Sequence, residues 1–401
     1  MFEDIVDIFF KAASMQRWND HIRPANFTEL DKQAHKMIIA YFLANMEESV
    51  CVIDWRKLID HFLFEFFYRS VLTDIKPPVF HKMMEEKQDQ LNQYVIKNLE
   101  PVFSGLKNTQ FFDDFKLYVE SPKGSVEDEI IGAAHYLATN WEFKIIYHNS
   151  PDTYGIEDTR SSLESQVKDY YNLKGVTDLV LHDKYRGFID LCSQLRFQKR
   201  WAHTPRIPET SVLGHMLTVA AISYFLSQEI ISDPCDVRLV NTFFAGLFHD
   251  LPEVLTKDIT SPIKKSVEGL DDIIKDYERE QFEKIIIPLI PSLWVDDFVY
   301  LVYDEFDNKV LVDGDVLNPS FDELNFKYNG DEFSPVDGEL LDVADKLSAF
   351  CEAVYSTHHG LEFKIIKDAA RDIRETYKDK VLGDFQVSVL YDGLEESIKK
   401  Q

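Results

Sequence analysis

The chain has little of what marks a secreted, membrane-spanning or disordered protein. Cysteine is scarce: Cys51, Cys192, Cys235 and Cys351 are scattered with no CxxC spacing. That excludes a disulfide framework and a cysteine metal knuckle, and points to reduced thiols. No apolar run approaches the roughly 20 residues that a membrane helix needs. The opening stretch MFEDIVDIFFKAASMQRW is acidic and amphipathic, without the basic segment and cleavage site of a signal peptide. Gly-rich, Pro-rich and repetitive polar tracts are missing, so extended disorder is not expected. Basic charge is short as well: 43 Lys and Arg against 70 Asp and Glu leave a net charge of −27. A surface this acidic disfavours a nucleic-acid polymer or an anionic membrane as partner. A small anionic substrate would need a local cluster of Arg, Lys or metal. A cytoplasmic protein is the expectation.

What the sequence does have is helical period. In SVLGHMLTVAAISYFLSQEI, residues Val212, His215, Met216, Val219, Ile222 and Leu226 share one face, and Asp236–Leu251 repeats the pattern. Further helices are expected at Ile5–Arg17, Glu29–Met46, Trp55–Ser70, Glu127–Phe143, Ser161–Tyr171, Lys184–Arg200, Asp271–Ile287, Asp337–Tyr355 and Phe363–Tyr377. Strand signals are weak, so the fold class is all-α.

The chain also resembles itself. Met15–Trp18 (MQRW) pairs with Gln198–Trp201 (QKRW), His35 with His215, Leu72–Val79 with Leu255–Ile263, and Glu127–Glu142 with Asp337–Glu352. The matches keep their order at nearly constant spacing until a late insertion. We read a tandem duplication with domains 1–180 and 181–401, joined near Gly175–Lys184. The copies differ in chemistry. His249-Asp250-Leu-Pro-Glu253 faces roughly Glu65–Arg69, and Asp345 faces His135. The first copy keeps His35 and Asp74 without the His-Asp pair, so it should not hold the same metal.

That pair lies in FFAGLFHDLPEVLTKDITSPIK, Phe243 to Lys264. An adjacent imidazole and carboxylate ending an apolar run are costly to bury unless something binds them. His215 sits on the apolar face of one helix and Asp345 on that of another. Either alone would read as a satisfied core histidine or a surface carboxylate. Together, His215, His249, Asp250 and Asp345 make a two-nitrogen, two-oxygen set suited to one divalent transition metal: Mn, Co, Fe, Ni or Zn. Glu253 follows His249 by four residues, and Asp258 lies five further on; a carboxylate beside a metal-activated water is placed to move its proton. If the helix continues past Pro252, Glu253 shares the face of His249. Arg200, Arg206 and Lys264 are nearby cations for a phosphate. Trp201 is either a flat wall for a base or core packing.

The H…HD…D order resembles the HD-domain metal-dependent phosphohydrolases. Arg200-Trp201, HDLPEVLTKD (His249–Asp258) and Ser261-Pro-Ile-Lys264 are similar to the YfbR-like 5′-deoxynucleotidase branch. The match covers Lys184 to about Tyr377. The resemblance implies an all-helical HD fold in the second half, the first half being a degenerate copy without a metal site. It implies hydrolysis of 5′-(deoxy)nucleoside monophosphates. His215, His249, Asp250 and Asp345 would be metal ligands, Glu253 and Asp258 catalytic, and Arg200 and Trp201 substrate contacts. The long insertion between Asp258 and Asp345, Ala202-His203 after the tryptophan and Pro252 inside the motif depart from the branch. A nucleoside triphosphate or cyclic phosphodiester substrate, or a non-catalytic nucleotide sensor, is the alternative. The two copies are expected to pack as a pseudo-dimer, using the apolar surface of Phe62, Phe64, Phe66 and Phe67, with a homodimer as a further option.

Overall fold

A computed structural model describes residues 2–73, 75–257, 267 and 269–400. The chain divides into two compact units, Met1–Leu181 and His182–Gln401. Both are helical. The strands among the described residues form two-stranded antiparallel ladders, β1 (Gln16–Arg17) with β2 (Phe27–Thr28), β3 (Val310–Val312) with β4 (Asp315–Leu317), and β5 (Val381–Leu382) with β6 (Phe385–Gln386). The all-α class therefore holds. Among the described residues, no helix is long and apolar enough to cross a membrane.

The first unit runs α1 (Phe2–Ser14), α2 (Glu29–Glu47), α3 (Trp55–Leu72), α4 (Pro77–Phe103), α5 (Gln110–Glu120), α6 (Val126–Asn149), α7 (Ile156–Lys168) and α8 (Lys174–Leu181). The Thr28 hydroxyl accepts the Asp31 N–H at 3.1 Å and fixes the start of α2. Ser125 and Asp128 form a reciprocal capping box at α6. Helix α3 is wrapped by α1, α4 and α5 through its phenylalanines. Phe66 stacks on Phe9 at 4.4 Å, Phe67 meets Phe103 edge-on at 4.9 Å, and Phe64 contacts Phe111 and Phe115. The apolar surface expected to face a second copy is thus consumed in this unit's own core. Helix α4 was not anticipated because MEEKQDQ carries no apolar stripe; non-helical backbone at Lys87 and an internal Pro101 interrupt it.

The second unit runs α9 (Asp183–Gln194), α10 (Val212–Ile230), α11 (Asp236–Phe248), α12 (Glu253–Thr256), α13 (Leu270–Gln281), α14 (Val295–Val302), α15 (Phe321–Phe326), α16 (Gly338–His358), α17 (Lys364–Tyr377) and α18 (Ser388–Lys399). Helix α10 is apolar on nearly every side and is buried from Val212 to Ser227, which makes it the axis of the unit. Helices α11 and α16 flank it. A β-carbon on Gly246 would come within 2.9 Å of the Ala220 Cα, so only glycine lets α11 approach α10 this closely. At the other end of α11, Arg238 grips Asp337 with two 2.7 Å hydrogen bonds, both side chains fully buried. Two helices stop earlier than the periodicity suggested. Helix α9 passes through a 3₁₀ turn, Leu195–Phe197, into an extended stretch where Lys199 bridges Ser211. Helix α11 stops at Phe248, and the Leu251 N–H turns back to the Phe248 carbonyl at 3.0 Å before Pro252.

Candidate active site

Three helices converge on one point. Ser211 caps α10, accepting the Gly214 N–H at 2.9 Å, and His215 is the fourth residue after that cap. His249 and Asp250 follow directly on the last residue of α11. Asp345 projects from the middle of α16 and is 7% exposed. His215 Nε2 lies 2.9 Å from Asp345 Oδ1 and 3.7 Å from Asp250 Oδ2, and His249 Nε2 lies 3.2 Å from Asp250 Oδ2. His215, His249 and Asp345 each offer a donor atom within 4.8 Å of the others.

The proton arrangement suits a metal. His249 Nδ1 is 2.8 Å from the Gly246 carbonyl, which only an N–H can satisfy. The ring's other nitrogen, Nε2, is buried and faces Asp250 Oδ2 at 3.2 Å. A backbone carbonyl on one imidazole nitrogen, with the other turned toward the carboxylates, is the usual preparation of a histidine ligand. His215 is oriented similarly, with Nδ1 3.1 Å from the Ser348 hydroxyl. Burial, reinforced by Arg200, lowers the pKa of His215. For His249, burial opposes the charge, but Asp250 and then Asp345 outweigh it and raise the pKa to about 9. Burial works against both carboxylates too. His249 and His215 hold Asp250 well below the usual range, and Lys346 and His215 do so for Asp345. A divalent metal held by these residues would displace the His249 proton, because ligation needs the neutral ring. The donor set therefore fits a divalent metal.

Of the expected substrate contacts, Arg200 reaches the site: its Nη1 is 3.6 Å from Asp250 Oδ2 and its Nε 3.2 Å from Glu352 Oε2. Trp201 donates its indole N–H to the same Glu352 oxygen at 2.7 Å, and its backbone is left-handed, with φ 57°. Arg206 is buried and turned inward, donating to the Thr210 hydroxyl at 2.6 Å and lying 3.8 Å from Glu352 Oε1. It braces the loop that presents Arg200. The carbonyl of Glu253, at the start of α12, accepts from the Gln198 side chain at 3.2 Å. Because α11 stops at Phe248, Glu253 does not share a helical face with His249. Asp258, Lys264 and the rest of Ser261–Lys264 lie outside the described residues, as does Asp74.

Three residues escaped the sequence reading. Glu352 gathers Arg200, Trp201, Arg206 and Thr210 around one buried carboxylate. Lys346 sets its ammonium 2.5 Å from Asp345 Oδ2. Glu305 has a raised pKa, chiefly from burial, and feels the charges of His249 and Asp250. Only Glu352 carried a signal in the sequence, since it closes the repeat match with Glu142. That residue likewise takes the Trp18 indole at 2.8 Å and the Arg17 Nε at 2.9 Å, and Trp18 has φ 54°.

A family profile described as an HD domain matches residues 192–374. The chain is 24% identical over 177 residues to the 4'-phosphooxetanocin A phosphatase of Priestia megaterium, a span of 43% of this chain and 75% of that protein. No solved structure gives a significant match. The second unit accordingly carries an HD domain, and that domain belongs to the HD-domain phosphohydrolase superfamily.

Proposed function

We propose that the second unit hydrolyses the phosphomonoester of 5′-(deoxy)nucleoside monophosphates, releasing nucleoside and phosphate. The observation that carries this reading is the convergence of His215, His249, Asp250 and Asp345, with His249 Nε2 turned inward toward the carboxylates. These four residues hold the metal, one of Mn, Co, Fe, Ni or Zn. When bound, it supplies Lewis-acid activation of water and neutralises phosphoryl charge. Arg200, beside Asp250, offers the planar donors that suit a phosphoryl group, and Lys346 adds a second positive charge next to Asp345. Glu253 takes the proton of the attacking water, and Asp258 assists at the leaving oxygen. Trp201 holds Arg200 in place through their shared partner Glu352. A relative named as a phosphatase supports a small phosphorylated substrate.

We further infer that the first unit is a divergent copy of the same fold. Helices α2 and α10 are both 19 residues long and follow a Thr28 or Ser211 cap. Gln16 pairs with Thr28 as Lys199 does with Ser211. The Arg-Trp pairs on Glu142 and Glu352 support the same reading. This register moves one match: counted from the cap, the counterpart of His215 is Lys32, not His35.

The test is phosphate release from a panel of deoxy- and ribonucleoside monophosphates, a nucleoside triphosphate and a cyclic phosphodiester, with Mn or Co added. Release confined to monophosphates is expected. Turnover of only the triphosphate or the diester would replace this substrate class with another.

A further inference from the structure

Between α14 and β3 the chain turns back onto the metal ligands. Asp304 adopts a left-handed backbone, with φ 49°, and the Asp307 N–H returns to its carbonyl at 3.0 Å. The turn is fastened on both sides. Lys309 is buried, and its ammonium caps the end of α14, donating to the Tyr300 and Tyr303 carbonyls at 2.5 and 2.7 Å. Its backbone bridges Val336 through hydrogen bonds of 3.0 and 2.9 Å. Asn308 accepts the Glu339 N–H at 3.0 Å and donates its side-chain N–H to Glu339 Oε1 at 3.0 Å. A β-carbon on Gly338 would come within 2.2 Å of the Asp307 carbonyl and 2.4 Å of the Phe306 carbonyl carbon, so only glycine lets the turn lie this close to the start of α16. The turn and the helix that carries Asp345 are thereby fastened together.

What the turn presents is Phe306. Its ring centroid lies 6.4 Å from that of His249, and the Lys346 ammonium sits over the ring, 5.5 Å from its centroid. Glu305, beside it, feels the charges of His249 and Asp250, which places the tip of the turn against the ligands. Phe306 is only half-buried. A phenyl ring left partly in water forgoes burial free energy of roughly 25 cal/mol per Å², and the fastened backbone holds it at the charged site instead of in the core. Trp201 is engaged elsewhere: its indole N–H is bound by Glu352, and the Arg206 guanidinium lies 5.8 Å from its ring. Phe306 is thus an aromatic face beside a metal ligand, with a cation above it. Lys346 and Arg200 are near enough to feel each other's charge, so one phosphoryl group can meet both. An ester held in that way has its organic group within reach of the Phe306 ring.

Building on the phosphomonoester hydrolysis proposed above, we propose that Phe306 is a specificity-determining residue: its ring packs against the organic group of the substrate and selects esters of a ring-bearing alcohol, a nucleoside or an aryl alcohol, over those of a small aliphatic alcohol. Lys309, Asn308 and Gly338 are the positioning residues that hold it there.

Steady-state kinetics on the metal-loaded full chain test this. Three phosphomonoesters are compared: a deoxynucleoside monophosphate, p-nitrophenyl phosphate and glycerol 3-phosphate, which has no ring. The readout is the ratio of kcat/KM for each ring-bearing ester to that for glycerol 3-phosphate. Both kcat/KM values come from one preparation, so partial unfolding or metal loss cancels. The parent protein is expected to favour the ring-bearing esters. The ratio should fall by about tenfold in Phe306→Ala, the size of one lost aromatic contact, and recover in Phe306→Tyr. Phe306→Leu, which keeps apolar volume without an aromatic face, serves should the alanine variant fail to fold. A parent that favours p-nitrophenyl phosphate but leaves the nucleoside monophosphate intact refutes the substrate class proposed above, while the fall in ratio on the aryl ester still supports the role of Phe306. A parent that favours neither ring-bearing ester, or a ratio unchanged by the substitutions, overturns the proposal.

Discussion

His215 Nε2 and Asp345 Oδ1 sit 2.9 Å apart although 130 residues separate them. The contact joins the axis helix α10 to α16 and closes the ring that His249 and Asp250 complete from the end of α11. Replacing Asp345 by Ala removes an anionic ligand and leaves His215 with Ser348. We expect the metal to be lost and phosphate release to fall by at least a hundredfold, with the helical content retained. Metal analysis beside circular dichroism checks both halves of that statement.

The position of the His-Asp pair depends on how closely α11 meets α10. A Gly246→Val side chain meets the Ala220 backbone, which cannot swing aside as a flexible side chain does. Overpacking of this kind costs about 1–3 kcal/mol. The expected result is a lower melting temperature together with metal affinity reduced at least tenfold. Intact metal affinity in the destabilised protein would separate packing from site geometry.

Glu352 couples stability to acid. Burial opposes its charge, but Arg206 and then Arg200 hold its pKa at about 2, against an ordinary 4.5. In the folded protein the carboxylate stays ionised down to about pH 2, whereas in the unfolded chain it takes up its proton near 4.5. Unfolding therefore binds a proton in that window, and stability falls as pH drops from about 4.5 to 2. The contribution is on the order of 3 kcal/mol above the window. Denaturant titrations of Glu352→Gln should give a flatter pH dependence over that range and lower activity at neutral pH, because Arg200 loses its anchor.

Arg238 and Asp337 form a fully buried bidentate pair. Asp337→Ala strands a guanidinium in the core and should destabilise the second unit by roughly 3–5 kcal/mol. Replacing both residues by apolar ones of similar volume should recover much of that. A double-mutant cycle in urea reads the difference.

The proposed metal ligands were legible because each interrupts an apolar pattern: His215 within α10, His249-Asp250 at the end of α11, Asp345 after Leu340 and Leu341. Polar groups at core positions need a partner, and one partner accounts for all four. Glu352 was not legible as the anchor of Arg200 and Trp201, because a glutamate near a helix end reads as solvated and its partners lie some 150 residues away. Glu305 and Lys346 act through proximity that no local spacing encodes. In the first unit, residue type pairs His215 with His35. The cap register of the proposed duplication pairs it with Lys32 instead, and a lysine in an apolar helix carries no motif. The phenylalanines of α3 were recognisable as apolar, whereas their destination, the core formed with α1, α4 and α5, depended on a helix with no apolar stripe.

The proposed chemistry requires one metal per chain, held by the second unit. Metal stoichiometry of the purified full chain, reconstituted with Mn or Co and compared with His249→Ala, tests it most directly. We predict one equivalent in the parent protein and none in the variant. Two equivalents in the parent, or one retained in the variant, would contradict the account.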